Sequence, residues 1–149
     1  MGSPRVVVIV NPRSQGGALG RRWSELADTI RRALPFEVAR TEGPGDATRL
    51  AAQALRAGAE VVVAVGGDGT INEVANGFFA DGQPVAPGAA LAILPFGTGG
   101  DFVRTARIPK DWAAAVEVLA RGARRTIDVG RLDHATRDGG PGVRMFVNI

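Results

Sequence analysis

The stretch that decides the fold is Val61-Val62-Val63-Ala64-Val65-Gly66-Gly67-Asp68-Gly69-Thr70-Ile71-Asn72-Glu73-Val74-Ala75-Asn76-Gly77. Its β-branched beginning predicts a parallel strand that is buried on both faces. After the glycines, apolar residues recur with the period of an amphipathic helix, at Ile71, Val74, Ala75, Phe78 and Phe79. We therefore expect a helix to begin at the carboxyl end of a buried strand.

The glycine turn at this helix start is typical of a phosphate site. Free N–H groups and the positive end of the helix dipole attract anions there. Gly66, Gly67 and Gly69 have no Cβ, so a polyphosphate can approach the backbone closely. We expect valine at position 69 to block that approach and to resist the positive φ of a turn. Asp68 fits beside phosphates when a cation accompanies them, which predicts a nucleotide site that uses Mg²⁺.

The spacing of the turn residues fits one other interpretation and excludes two. Thr70 and Glu73 match a capping box, which needs no ligand, and this alternative stays open. A Rossmann fingerprint is excluded, because it needs glycine where Asn72 stands. A P-loop is excluded as well, because it needs lysine before Ser or Thr and the only lysine is Lys110.

The rest of the chain alternates strands with helices. Strands are predicted at 5–10, 36–41, 61–65 and 91–94. The first helix is predicted along the apolar stripe from Leu19 to Leu34, the second at 47–57 with Asp46 as N-cap, and the third after the glycine turn. A short helical turn is predicted to end at Arg104. The last helix is predicted at 112–120, with Asp111 as its N-cap and Gly122 as the residue that ends it. This order predicts an α/β fold with a doubly wound, mostly parallel sheet and helices on both faces. Two antiparallel strands are predicted to follow, at 126–132 and 143–149.

Four loops are predicted to meet at one edge of this sheet. They comprise Asn11 to Gly17, Thr41, Gly67 to Glu73 and Gly97 to Asp101, each after a predicted strand. Ligands of such sheets bind outside the carboxyl ends of the strands. The convergence of polar and glycine-rich loops therefore predicts a ligand site there.

Composition limits the classes of function. The 149 residues contain no cysteine, which excludes disulfides and thiol chemistry and fits an intracellular setting. The apolar run Val6 to Val10 is too short for a signal peptide or a membrane span. Aromatic residues make up only 5% of the chain and no nucleic-acid-binding module is recognisable, so no nucleic-acid partner is expected.

The net charge of +3 comes almost wholly from arginine. Arg21, Arg22, Arg31 and Arg32 fall outside the apolar stripe of the first helix, as expected of a solvated face. Arginine also binds phosphate with a bidentate fork. Peripheral contact of this face with an anionic membrane stays open as a second interpretation.

Three motifs with their spacing resemble one known family. They are N-P-R-S from Asn11, G-G-D-G-T-I-N-E-V-A-N-G from Gly66 and L-P-F-G-T-G-G-D-F-V-R from Leu94. Together they resemble the catalytic domain of the diacylglycerol kinase family, which includes bacterial soluble lipid kinases and sphingosine kinases. NAD kinases and phosphofructokinases share the Gly-Gly-Asp-Gly core, but the continuation to Asn76-Gly77 is similar to the lipid kinases.

The resemblance implies an ATP-dependent, Mg²⁺-dependent kinase that transfers the γ-phosphate to a lipid hydroxyl such as that of diacylglycerol. It implies water-mediated magnesium binding by Asp68 and Asp101. The ATP contacts that it implies are Asn11, Pro12, Arg13, Ser14, Gln15, Thr41, Gly67, Asp68, Gly69, Thr70, Ile71, Asn72, Glu73 and Thr98.

Two positions depart from the family pattern. Gln15 stands where the family usually has glycine, although Gly16 and Gly17 follow directly. Gly100 stands where the family has asparagine, so an amide donor and acceptor are missing beside Asp101. If this loss is drift, Gly100→Asn is expected to raise phosphoryl transfer.

The resemblance also predicts a division of the chain. Residues 1–125 would form the ATP-binding α/β domain, and residues 126–149 would begin a β-rich domain that breaks off in mid-strand. The general base and the acceptor pocket are then expected beyond Ile149, since His134 is interpreted as a loop residue. This piece alone is expected to bind ATP without phosphorylating a lipid, and its open strand to favour a homodimer or aggregation.

The expected location is the cytoplasm, with peripheral contact at the inner membrane face as an option. Two alternative functions stay open. One is a kinase of NAD or another soluble alcohol, and the other is a nucleotide-binding module without catalysis.

Overall fold

A computed structural model of the protein describes residues 2–97 and 100–147. Its strands are β1 (Val6–Val10), β2 (Glu37–Arg40), β3 (Val61–Gly66), β4 (Phe79–Ala80), β5 (Gln83–Pro84), β6 (Ala90–Pro95), β7 (Gly130–Ala135) and β8 (Pro141–Phe146). Its helices are α1 (Ala18–Ala33), α2 (Asp46–Arg56), α3 (Asp68–Gly77), α4 (Asp101–Thr105) and α5 (Trp112–Arg121). The predicted alternation of strands and helices is confirmed.

A four-stranded parallel sheet forms the centre of the molecule, in the order β2-β1-β3-β6. Val8 of β1 lies beside Val38 of β2 on one side and Val63 of β3 on the other. The two central strands are buried almost completely, which explains their continuous valine runs. The predicted α/β fold class is therefore correct.

Alternate residues of the central strands face two separate cores. Val8 and Val63 pack with α1 and α5 on one face of the sheet. Val7 and Val62 pack with α2 and α3 on the other face. The loops after β1 and β3 consequently leave toward opposite faces, and such a reversal opens a crevice at the carboxyl ends of the strands.

Helices α2 and α3 approach each other closely at Gly77. A Cβ built on Gly77 would lie 2.5 Å from the Cβ of Ala51 and 2.6 Å from the carbonyl oxygen of Thr48. The hydroxyl of Thr48 also donates a hydrogen bond to the carbonyl oxygen of Glu73, at 2.8 Å. The pair is thus fixed at a spacing that only glycine permits.

The helix ends agree with the sequence in one case and not in another. Asp111 caps α5 by accepting from the N–H of Ala114 at 3.0 Å, and Gly122 ends the helix at φ 69°, as predicted. The prediction that Asp46 caps α2 is wrong. Gly45 occupies the N-cap at φ 85° and Asp46 is the first helical residue, so its carboxylate turns back toward the preceding loop.

The C-terminal antiparallel pair is confirmed but lies closer to its turn than predicted. The N–H of Thr136 donates to the carbonyl oxygen of Gly140 at 2.7 Å, so pairing begins at once on both sides of the turn. Residues 130–135 pair with 141–146, whereas 126–129 remain outside the strand. The predicted domain boundary at 125 and 126 stays a prediction.

A small hairpin of β4 and β5 was not predicted. Asp81 and Gly82 connect its strands with φ of 51° and 77°, and positive φ at both positions is typical of a tight hairpin turn. Elsewhere on the surface, Arg21, Arg22, Arg31 and Arg32 of α1 are exposed as expected. Among residues 2–97 and 100–147, no helix has both the length and the apolar character to cross a membrane.

Candidate functional site

A cleft of about 420 Å³ lies at the carboxyl ends of β1, β2 and β3. This volume is within the range of small-molecule sites. Its lining consists of Asn11, Arg13, Ser14, Gln15, Thr41, Gly43, Pro44, Ala47, Gly67, Gly69, Thr70 and Glu73. Three of the four predicted loops therefore meet in one crevice.

Most of the predicted site residues line this cleft, but several do not. Pro12 accepts a hydrogen bond from the N–H of Gly20 in α1, at 3.0 Å. Ile71 is buried in the core, and the amide of Asn72 accepts from the N–H of Val147, directly after β8. Asp68 lies beside the lining, in the first turn of α3. Thr98 lies outside the described residues, so its predicted ATP contact stays a prediction.

Three lining residues were missed by the sequence analysis. They are Gly43 and Pro44, in the connection from β2 to α2, and Ala47, in the first turn of α2. Their position after a predicted strand at the same sheet edge was a usable signal. Only Thr41 was predicted as a contact from this loop.

Gly66 is the glycine that the turn requires for its backbone. Its φ is 153°, and a Cβ there would lie 2.8 Å from the Thr70 Oγ1 and 3.1 Å from the Ser14 Oγ. Gly69 is helical, has no positive φ and would meet nothing within 4 Å with a Cβ. The expectation of positive φ at Gly69 is therefore wrong, because the strained position precedes the helix.

The start of α3 is not closed by the protein. Gly67 is its N-cap, and no side chain caps the helix. The carboxylate of Glu73 accepts from the N–H of Gly45 at 3.2 Å instead of bonding to its own helix start. The capping-box alternative is therefore wrong, and the first N–H groups of α3 face the cleft without an acceptor inside the helix.

Asp68 has a buried carboxylate oxygen without a partner. No donor among residues 2–97 and 100–147 lies within hydrogen-bonding distance of its Oδ1. Buried polar atoms are nearly always hydrogen-bonded, so this one fits a bound water or cation that a nucleotide would bring. Mg²⁺ commonly binds through one or two carboxylates together with substrate phosphates and water, which agrees with this donor set.

Asp101 has a different environment. It is the first residue of α4, its side chain is 69% exposed, and Arg104 contacts it at 3.1 Å. It does not line the cleft, and the described part of the chain has no group of three or more His, Cys, Asp or Glu that could bind a metal alone. Its predicted role beside magnesium stays a prediction.

Asn11 joins the loop after β1 to the start of α3. Its Oδ1 accepts from the N–H of Arg13 at 3.1 Å, and its Nδ2 donates to the Thr70 Oγ1 at 3.5 Å. Arg13 itself is exposed at the cleft and is in none of the ion pairs of the described residues. Its guanidinium is thus available for a bidentate contact with phosphate.

The loop between β2 and α2 is ordered by Asp46. Its carboxylate accepts from the N–H of Glu42 at 2.7 Å and from the N–H of Gly43 at 3.1 Å. The bond from Glu42, together with Arg49 and the bond from Gly43, lowers the pKa of Asp46 despite partial desolvation. The ionised carboxylate therefore stabilises the loop that supplies Gly43 and Pro44 to the cleft.

Gly100 has a backbone reason to be glycine. Its φ is 117°, and a Cβ there would lie 3.3 Å from the Cβ and the Cγ2 of Val103. Side chains rarely occupy this conformation. The departure from the family asparagine thus coincides with a conformation that disfavours asparagine.

Comparison with known proteins agrees with this geometry. The family model described as the diacylglycerol kinase catalytic domain matches residues 5–132. A diacylglycerol kinase of Staphylococcus saprophyticus is 36% identical over 147 residues, which cover 97% of this chain and 44% of the relative. A diacylglycerol kinase of Staphylococcus aureus is 34% identical over 149 residues, with 97% and 42% covered.

The solved structures lead to the same family. The crystal structure of a diacylglycerol kinase from Bacillus anthracis is similar with a TM-score of 0.65 and 29% identity, covering 87% of this chain and 44% of that one. The chain thus spans less than half the length of the relatives that it matches. Its motifs, its sheet and the matched family model together show that it belongs to the diacylglycerol kinase catalytic domain family.

Proposed function

We propose that the cleft binds Mg-ATP and that the chain is the ATP-binding part of a kinase whose acceptor is a lipid hydroxyl such as that of diacylglycerol. The observation that carries the proposal is the uncapped start of α3 with the partnerless Oδ1 of Asp68. A buried carboxylate oxygen without a partner is costly in a protein without a ligand, and the free N–H groups beside it are suited to an anion. A polyphosphate accompanied by a cation would satisfy both at once.

The residues of the cleft would divide the work of nucleotide binding. The N–H groups at the start of α3 would donate to phosphate oxygens, and Gly67 and Gly69 allow the close approach because they carry no side chain. Arg13 would neutralise phosphate charge from the loop after β1. Asn11 and Thr70 fix the two walls of the cleft to each other, so the donors are oriented before the ligand binds.

Asp68 would bind magnesium through water, and the bound ion would neutralise the charge that develops on the phosphates during transfer. Phosphoryl transfer needs little covalent chemistry from a protein beyond this positioning. The described residues around the phosphate turn offer no histidine or free carboxylate other than Asp68 and Glu73 as a general base. We therefore expect nucleotide binding from this chain without lipid phosphorylation.

Family membership favours a lipid acceptor over NAD or another soluble alcohol. The names of the staphylococcal relatives support diacylglycerol as the first acceptor to test. The exposed arginines of α1 agree with contact at an anionic membrane, but several are already paired, as in Arg22 with Glu25 at 3.2 Å and Arg31 with Asp28 at 2.8 Å.

Nucleotide binding is tested by calorimetry with ATP, with and without Mg²⁺. We expect saturable binding that Mg²⁺ strengthens and that AMP, which lacks the β- and γ-phosphates, reproduces poorly. Equal affinity for ATP and AMP would show that the glycine turn Gly66 to Gly69 does not bind the β- and γ-phosphates. No binding of Mg-ATP would overturn the proposed function.

The acceptor is tested by thin-layer separation of labelled products with diacylglycerol, sphingosine and NAD. The complete Staphylococcus saprophyticus relative serves as the positive control in the same vesicles. We expect label in phosphatidic acid from the control and only background from this chain. Phosphorylated NAD from this chain would instead favour the soluble-alcohol alternative.

A further inference from the structure

Two asparagines on α3 bond to the backbone of β8 and of Val147, the residue that directly follows it. The Oδ1 of Asn76 accepts from the N–H of Met145 at 2.8 Å, and its Nδ2 donates to the carbonyl oxygen of the same residue at 2.8 Å. The Oδ1 of Asn72 accepts from the N–H of Val147 at 3.4 Å. One helix thus occupies the edge of β8 that faces away from β7.

The spacing of the two asparagines fits the strand. Four residues of a helix rise by about 6 Å. Two residues of a strand advance by about 6.8 Å, and alternate N–H groups point to the same side. Asn72 and Asn76 are therefore spaced to meet the N–H groups of Val147 and Met145 in turn.

The amide of Asn76 is fully used. Its second N–H donates to the carbonyl oxygen of Asn72 at 2.8 Å, so both donors and the acceptor have partners. The opposite orientation of this amide would set its NH₂ group against the N–H of Met145. Its orientation is consequently determined by its neighbours, and Asn76 acts as one rung of a strand ladder.

We propose that Asn72 and Asn76 form an amide bracket that fixes β8 to the helix carrying the phosphate turn, so that nucleotide binding at the start of α3 is transmitted to β8. The second part of this proposal, the coupling to nucleotide binding, rests on the proposed function. Asn72 and Glu73 are adjacent on the same helical turn, and the first bonds to Val147 at the end of β8 while the second lines the cleft. Asn76 is thus a positioning residue for the strand pair rather than a contact of ATP.

The bracket is tested by amide hydrogen exchange of this chain, read at Met145 with and without saturating Mg-ATP. Asn76→Leu keeps the branched shape of the side chain and removes all three hydrogen bonds of the amide. Without nucleotide, we expect exchange at Met145 to become about tenfold faster in the variant. In the parent, Mg-ATP should slow this exchange by between about threefold and the hundredfold limit set by a ligand at 100 times its Kd.

The coupling predicts one more result. Asn76→Leu should bind Mg-ATP within about twofold of the parent, because its side chain lies outside the cleft, yet Mg-ATP should no longer slow exchange at Met145. Gln53→Leu makes the same change on the exposed face of α2 and should leave both results as in the parent. Unchanged exchange of the Val63 and Val65 amides in β3 shows that the variant is folded.

Each outcome decides a separate part of the proposal. Equal exchange at Met145 in the parent and in Asn76→Leu would overturn the bracket. If the parent binds Mg-ATP and its exchange at Met145 is unchanged by the nucleotide, the coupling would be overturned. A parent that binds no Mg-ATP would overturn the proposed function, while the nucleotide-free comparison still decides the bracket. If Asn76→Leu does not fold, Asn72→Ala replaces it, with faster exchange expected at Val147.

Discussion

Three helices of this protein begin with the same dipeptide, but only one of the three aspartates has a buried carboxylate oxygen without a partner among the described residues. Gly45-Asp46, Gly67-Asp68 and Gly100-Asp101 open α2, α3 and α4. Asp46 contacts Arg49 at 3.4 Å and Asp101 contacts Arg104 at 3.1 Å, one turn later in each case. Among the described residues Asp68 is in no ion pair, so the aspartate of the same dipeptide is paired with arginine in two helices and unpaired in the third.

The difference comes from the residue one turn along the helix. The position that holds arginine in α2 and α4 holds Ile71 in α3, and Ile71 is only 1% exposed. The inner face of α3 begins at this residue, so the core takes the place of a charged partner. The unpaired carboxylate of Asp68 therefore marks the helix start at which we propose that the ligand binds.

The largest expected effect comes from the strained glycine before α3. Gly66→Ala would place a Cβ against the Thr70 and Ser14 hydroxyls at a φ of 153°, so we expect Mg-ATP affinity to fall by about 2 kcal/mol, or roughly 30-fold. Calorimetry measures the change. The control is Gly122→Ala, which also adds a Cβ at positive φ, 69°, but lies outside the cleft, and should lower thermal stability while retaining affinity. Equal losses in both variants would contradict the turn geometry.

The second prediction compares the same substitution at two aspartates, Asp68 and Asp46. Asp68→Asn should weaken Mg-ATP binding about tenfold, the usual scale for one charge-assisted contact, and should not lower the melting temperature. Asp46→Asn should lower the melting temperature and change Mg-ATP affinity less, because its carboxylate stabilises the loop between β2 and α2. If Asp68→Asn bound Mg-ATP as tightly as the parent, the metal role of Asp68 would be wrong.

The third prediction concerns the start of α4. Gly100→Asn should reduce the free energy of unfolding by about 1 kcal/mol, because it adds a Cβ close to Val103 at an unfavourable φ. The family pattern alone suggested that the same substitution raises phosphoryl transfer, whereas the backbone geometry predicts that it destabilises the fold. Chemical denaturation of the variant and the parent measures it. A variant more stable than the parent would show that asparagine fits this position without strain, which would contradict the prediction.

The smallest effect is a pH dependence. The folded-state pKa of Asp46 is lowered, first by the N–H of Glu42, so its ionised form stabilises the fold above the ordinary value of 3.8. This contribution should disappear as the pH falls through the lowered pKa. Melting temperatures of the parent and Asp46→Asn should therefore converge below pH 3.8 and separate above it. Parallel curves at all pH values would contradict this role.

The sheet and the cap of α5 could be predicted because their signals are local. The valine runs of β1 and β3 and the spacing of Asp111 to Ala114 are determined by a few neighbouring residues. The Asp81-Gly82 turn was equally local and could have revealed the small hairpin. The direction of the Asp46 carboxylate depended on positive φ at Gly45, which the sequence does not show directly.

The cleft was predictable as a place but less so in its detail. Loops after parallel strands must meet at one edge, which brought Asn11, Thr41 and Thr70 together as expected. The direction of Asn72 was not predictable, because it bonds to a residue 75 positions later. Such a contact depends on how β8 returns to α3, and no local pattern encodes that return.

The tight crossing at Gly77 has an evolutionary consequence. Any side chain at this position would separate α2 from α3. Substitution of Gly77 is therefore disfavoured even in a lineage that changes its acceptor, its surface charge or its nucleotide. Glycine at position 77 should therefore persist in descendants that have lost catalysis altogether. Among related sequences, its retention would record inheritance of the scaffold, while the fate of Asp68 would record whether the chemistry was still under selection.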